Sequence, residues 1–138
     1  MNTQQIELVQ ASFEKVRPIA DQAAETFYQR LFEIAPQYRA MFKSNMKKQG
    51  AMLMSTLGLA VGSLHNLETI LPAVRALGKR HAGYGVTAED YQPVAEAFLW
   101  TLDTYLGEDF TPELKDAWVQ AYTILAGAMI EASEAVPV

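Results

Sequence analysis

Two histidines, His65 and His81, and no cysteine are what the chain offers for metal or acid–base chemistry. The missing thiols exclude disulfides, zinc–thiolate sites, iron–sulfur clusters and any thiolate-bound metal. A di-iron carboxylate bundle needs a Glu three residues before each histidine, and Gly62 and Gly78 stand there instead. No HExxH pair, glycine-rich phosphate loop or GxSxG elbow occurs, which argues against hydrolases and NTPases. His65 lies in the polar run SLHNLE and reads as a solvated side chain without function. His81 differs, because Ile70, Val74, Leu77 and His81 follow steps of four, three and four and share one helical face. A histidine on an apolar stripe is either a core residue bonded to a backbone carbonyl or a metal ligand, and spacing alone leaves both open.

The elements that position these residues are helical. Ile6, Val9, Phe13 and Val16 form one amphipathic face, with Asn2 or Thr3 as cap and Pro18 ending the run. Phe27 with Leu31 and Tyr28 with Phe32 define a second helix that stops before Pro36, which suits the first turn of a short helix carrying Tyr38, Met41 and Phe42. The polar run from Lys43 to Lys48 reads as a loop. Gln49, Leu53, Leu57, Ala60 and Leu64 resume helical spacing, with Gly58 and Gly62 expected to admit a neighbouring helix closely. The stripe ending at His81 is a fourth helix, stopped by the glycines of AGYG. Thr87 and Asp90 look like a capping box before Tyr91, Val94, Phe98 and Leu102. Thr111, Pro112 and Glu113 open the last helix, whose inner face is Leu114, Trp118, Tyr122, Leu125 and Met129. The expectation is an all-α fold of six main helices plus one short one, in a single domain over residues 1–138.

With 138 residues, half of them hydrophobic, and a net charge of -5, the chain has material for one sizeable core and no basic run for a nucleic acid. The start MNTQQIELVQ lacks the features of a signal peptide, and the most apolar stretch, Ala51 to Leu64, falls short of the ~20 residues that span a bilayer. A cytoplasmic protein without a membrane span is expected.

The segment GKRHAGYGVTAEDYQPV, with Phe42 in APQYRAMFK, FYQRLF before it and AWVQAY in the last helix, resembles the bacterial globins of the flavohaemoglobin and single-domain Vitreoscilla-type lineage. The likeness runs from Thr3 to about Ile130, and the order and separation of these anchors give it its specificity. It implies a globin fold around a haem pocket and haem b as cofactor. His81 would then be the proximal iron ligand and Phe42 the aromatic that wedges the porphyrin, with Leu77 and Val86 flanking the proximal side. Tyr28 matches the lineage's distal tyrosine, and an ungapped count back from His81 puts Gln49 at the distal position and Leu53 one turn later. Tyr91 matches a tyrosine that, with a glutamate, orients the proximal histidine in this lineage. The ungapped count from Trp118 places Ser133 where that glutamate would be, with Glu131 and Glu134 as neighbours.

What the resemblance implies for function is reversible binding of dioxygen and other diatomic ligands, with nitric oxide dioxygenation to nitrate as the chemistry. Only EASEAVPV follows Ile130, so an external flavin or ferredoxin-type reductase is expected to return the electron. An oxygen carrier or store without turnover is the alternative, and a haem-based sensor or interaction module is a second one.

Overall fold

Asn2 starts the first helix, α1 (Thr3–Val16), through a reciprocal capping box. Its side-chain oxygen accepts from the Gln5 amide at 2.8 Å, and its own amide donates to the Gln5 side chain at 3.0 Å. The computed structural model describes residues 1–41, 45–83 and 88–134. Pro18 cannot continue an α-helical ladder, so the chain tightens into a 3-10 turn, Arg17–Ile19, before α2 (Ala20–Ile34). Pro36 opens a second 3-10 turn, Pro36–Met41. Helix α3 (Met46–Gly62) begins three residues earlier than the polar run suggested, because the Asn45 side chain accepts from the Lys47 amide at 2.8 Å and the Lys48 amide at 3.4 Å.

A 3-10 corner, Leu64–Asn66, leads into α4 (Leu67–Gly83). Thr87 lies outside the described residues, so the expected capping box cannot be placed on it. Asp90 ends a 3-10 turn, Ala88–Asp90, and its carboxylate accepts the Tyr38 hydroxyl at 2.5 Å instead of capping α5 (Tyr91–Leu106). Helix α6 (Pro112–Glu134) opens as read, with the Thr111 hydroxyl accepting from the Leu114 amide at 3.2 Å. The fold is all-α: the described residues form six α-helices and five 3-10 turns, the one at Pro36 being the expected short element, with no strand among them. No helix of the described residues is long and apolar enough to cross a membrane.

Three apolar clusters hold the helices. The largest joins α1 to α6 through Val9, Phe13, Ala117, Trp118 and Ala121, and the indole N–H of Trp118 donates to the Ser12 hydroxyl at 2.8 Å while that hydroxyl donates to the Val9 carbonyl. Every polar atom of this buried link is therefore paired. A second cluster, Phe27, Tyr28, Leu31, Ala35, Tyr38 and Ala97, seats α2 on α5, and a third, Ala60, Ile70 and Val74, packs with Leu125 and Met129. Helix α3 leans on α2 and α1, and α4 on α6, while Ala60 near the end of α3 meets Ile70 and Val74 of α4 in the third cluster. Gly58 meets the Phe13 ring edge, 3.4 Å from where a Cβ would stand, but Gly62 is exposed with nothing within 4 Å. The close approach expected at Gly62 is absent because the chain is already turning into the corner there.

Candidate functional site

His81 comes from the last turn of α4, where the helical spacing with Leu77 brings its ring over the preceding turn. Its Nδ1 lies 2.8 Å from the Leu77 carbonyl oxygen. Donating there fixes the tautomer in which Nε2 carries the lone pair, the arrangement a metal-ligating imidazole adopts. The two sequence readings of His81 are thus compatible: the carbonyl takes one ring nitrogen, and a metal would take the other. Both Leu77 and His81 are half-buried.

The helix that carries His81 is set by a residue that the sequence reading passed over. A Cβ on Gly78 would stand 2.6 Å from the Met129 Cα and closer still to its carbonyl oxygen. At Gly78 the backbones of α4 and α6 touch, so the depth of α4 is fixed by main chain against main chain. The available signal was the cost of a glycine inside a helix, which calls for a packing reason.

Tyr28 is buried on α2 and Gln49 is half-buried in the first turn of α3. The two side chains are hydrogen-bonded, and the bond lowers the phenol pKa against a larger rise caused by burial. A bond that favours the phenolate is one donated to its oxygen. The Gln49 amide is therefore the donor, Tyr28 accepts, and with its pKa above the ordinary value Tyr28 keeps its own proton at neutral pH. The Asn45 cap places Gln49 in that turn. Gly50 lets α3 approach α2, since its Cβ would lie 3.0 Å from the Cβ of Ala24, one turn before Tyr28. Phe27 meets the Tyr28 ring edge-on at 5.0 Å and Phe32 stacks on it at 6.1 Å, while Leu53 packs against the same cluster. The ring is held on two sides by aromatics.

Of the other residues singled out, Phe42 and Val86 lie outside the described residues. Tyr91 is half-buried at the start of α5; burial and the neighbouring Asp90 charge raise its pKa. Its backbone carbonyl accepts the Tyr122 hydroxyl at 2.5 Å, which ties α5 to α6. Glu131 is exposed, and the side chains of Ser133 and Glu134 lie outside the described residues. His65 is exposed, as a solvated side chain should be.

No cluster of three or more His, Cys, Asp or Glu able to hold a bare metal ion occurs among the described residues. A donor set of one imidazole suits an iron that brings its remaining ligands with it, as haem does. Leu53 on α3 and Leu77 on α4 supply apolar side chains of the kind that line such a group, and Tyr28 with Gln49 supplies polarity on α2 and α3. These residues fit a haem.

A model of the globin family matches residues 25–129. The chain is 32% identical over 120 residues to a flavohemoprotein of Bacillus subtilis, covering 82% of this chain and 30% of that protein. It is 28% identical over 137 residues to neuroglobin-1 of Oncorhynchus mykiss, covering 89% of this chain and 86% of that one. It thus spans less than a third of the flavohemoprotein's length and most of the neuroglobin's. Among solved structures, an engineered carbene transferase from Rhodothermus marinus, provisionally named as a nitric oxide dioxygenase, superposes with a TM-score of 0.89 at 29% identity, covering 99% of this chain and 95% of that one. A bacterial globin from Campylobacter jejuni superposes at 0.85 with 22% identity, covering 96% of each.

Proposed function

We propose a function for this chain from the premise that it belongs to the globin family: it holds haem b through His81, binds dioxygen reversibly, and supports oxidation of nitric oxide to nitrate in the cytoplasm. The observation that carries the reading is the His81 ring, whose Nδ1 lies 2.8 Å from the Leu77 carbonyl oxygen at the end of an apolar stripe. When bound, haem supplies reversible dioxygen binding and the oxidation of nitric oxide by dioxygen, a reaction that leaves one electron to be returned by a flavin or ferredoxin-type reductase. The flavohemoprotein likeness and the Rhodothermus marinus neighbour favour this chemistry.

The chain's own residues bind, orient and hold protons. Leu77 orients the imidazole through its carbonyl, and Gly78 sets the depth of α4. By the resemblance, Phe42 would wedge the porphyrin, Val86 and Leu77 would flank its proximal side, and Tyr91 would help orient the imidazole. Tyr28 donates its hydroxyl proton to the ligand, and Gln49 acts through Tyr28 by donating to the same oxygen. A phenol that accepts one hydrogen bond donates the next more strongly. Leu53 closes the pocket above.

A visible spectrum of the purified protein, oxidised, reduced with dithionite and then exposed to carbon monoxide or air, tests the reading, and the pyridine haemochrome identifies haem b. His81→Ala should lose stable haem or change the ferrous spectrum; an unchanged spectrum would sink the assignment. Nitrate formed per haem under excess nitric oxide and dioxygen should rise with an added reductase and NADH. If no donor sustains it, the chain is an oxygen carrier or store, and a purified protein that takes up no haem is an interaction module.

A further inference from the structure

Charge is divided unevenly along this chain. Seven of the eleven Lys and Arg fall between Arg39 and Arg80, a stretch that holds one of the sixteen Asp and Glu, Glu68. The total of -5 is therefore +6 in that stretch and -11 over the rest. Arg39, Lys47, Lys48, Arg75, Lys79 and Arg80 are all exposed. The salt bridges among the described residues, Lys15 to Asp109, Arg17 to Glu14 and Arg30 to Glu33, take their cations from outside the stretch. Helices α3 and α4 have 17 residues each, about 25 Å, and Ala60 meets Ile70 and Val74 beside the Leu64–Asn66 corner, so the two run back from it as arms of equal length. Lys47 and Lys48 stand at the free end of one arm, directly before Gln49, and Lys79 and Arg80 near the free end of the other, directly before His81. A cleft of about 830 Å³ between α2 and α3 marks the border of the basic face, since Asp21, Glu25 and Glu33 of α2 line it together with Arg39 and Lys47.

We propose that this basic face docks an acidic one-electron carrier protein, which returns the electron spent in each turnover. The inference rests on the haem reading above. In that reading Gln49 and His81 stand on opposite sides of the ring, so the cations beside both surround its edge, where an electron has the least distance to travel. Each encounter moves one electron and no atom or proton: the carrier gives it up, and ferric iron takes it to become ferrous. Attraction by the face and repulsion by the acidic remainder turn an acidic partner towards the arms before contact, which raises the productive encounter rate. A nucleic acid would need a run that follows its phosphates, and these cations are split between two arms instead. A lipid surface has no use for charges gathered at the two residues assigned to the haem, whereas an electron carrier must arrive there.

Anaerobic stopped-flow reduction of the ferric protein by a reduced, strongly acidic plant-type ferredoxin tests this. The second-order rate should fall steeply as salt rises from about 10 to about 100 mM, where the screening length shrinks from ~30 to ~10 Å. Lys47→Glu with Lys48→Glu, and Arg75→Glu with Lys79→Glu, should each slow it roughly tenfold at low salt. Lys15→Glu with Lys115→Glu, an equal change of net charge elsewhere, should slow it less than about twofold, and photoreduced riboflavin should reduce every variant at the parent rate. Binding is read separately: in the isotope-labelled carbon monoxide form, the Lys48 and Lys79 amides should shift on adding ferredoxin and the Lys115 amide should not. A rate indifferent to salt, equal losses in the control pair, or unshifted amides overturn the docking face. Reversals that weaken haem retention at an unchanged ferredoxin rate overturn it by assigning the charges to the haem carboxylates, and reversals that abolish only binding to phosphatidylglycerol vesicles overturn it in favour of a lipid surface. A chain that takes up no haem overturns the haem reading and the face with it; one that loads haem yet fails these measurements overturns the face alone.

Discussion

The two sides of the candidate site are held by different parts of the chain. On the α4 side the restraints are main-chain ones: a carbonyl fixes the imidazole, and backbone contact at Gly78 and Met129 fixes the helix that bears it. On the α2–α3 side they are side-chain ones: an amide on a phenol, two aromatic neighbours and an open cleft. A ligand to a metal gains from a position that does not yield, because its geometry tunes the metal. A donor to an incoming molecule must tolerate arrival and departure, and side chains can move where backbones in contact cannot.

The contrast breaks most sharply at Gly78. Gly78→Ala forces a methyl into the Met129 backbone and should cost on the order of 1–3 kcal/mol, with weaker haem retention, as overpacking does; a urea midpoint equal to the parent's would show that the contact yields. Comparable in size is Tyr28→Phe, which removes a hydrogen bond to a partly charged ligand worth about 1.5–3 kcal/mol and should speed dioxygen dissociation roughly 10–150-fold in stopped-flow displacement. Gln49→Leu should have a smaller effect, roughly 2–10-fold, because it removes only the donor behind the donor. Should Gln49→Leu exceed Tyr28→Phe, the amide itself contacts the ligand and the order of the pair is reversed.

Alkaline pH separates the sides more gently. Burial, the hydrogen bond to Asp90 and its charge raise the Tyr38 pKa from 10.0 to about 12, and Tyr28 is also raised. A group whose folded pKa lies above its unfolded one contributes its full stability below the unfolded value and loses it as pH rises towards the folded one. Urea midpoints should therefore hold up to about pH 10 and fall between there and about 12. Tyr38→Phe should flatten part of that fall, and an equally steep one would remove Tyr38 from the account. The smallest change is Gly127→Ala on α6, where a Cβ meets nothing within 4 Å; it should stabilise by about 0.5–1 kcal/mol, the opposite sign from the same substitution at Gly78.

That pair of glycines also marks where the sequence stopped being legible. The stripe from Ile70 to His81 announces its helix because apolar spacing is a local property, and the six helices followed from the same kind of pattern. Which glycine carries a helix crossing depends on a partner 51 positions further along, Met129 for Gly78, and the sequence reading placed that role on Gly58, which does meet Phe13, and on Gly62, which meets nothing. The polar run ending at Lys48 concealed a cap, since Asn45 is as ordinary in a loop as at a helix start. Tyr28 and Gln49 could each be singled out by resemblance, but their hydrogen bond depends on how deeply α3 sits on α2 at Gly50 and Ala24. The missing glutamate near Ser133 was visible in the sequence, and the exposed Glu131 leaves that place unfilled from its own position.

The indole bonded to Ser12 gives the molecule an optical consequence. Trp118 is 2% exposed and Trp100 is 41% exposed, with the Arg30 guanidinium 4.9 Å above its ring. One chain thus holds two emitters in opposite media. In the haem-free protein the emission should be the sum of a short-wavelength band from Trp118 and a longer-wavelength band from Trp100, and acrylamide should quench the second first. A haem would darken both by energy transfer, so the return of light on losing the cofactor, resolved by colour, would report separately on the α1–α6 core and on the outer face of α5.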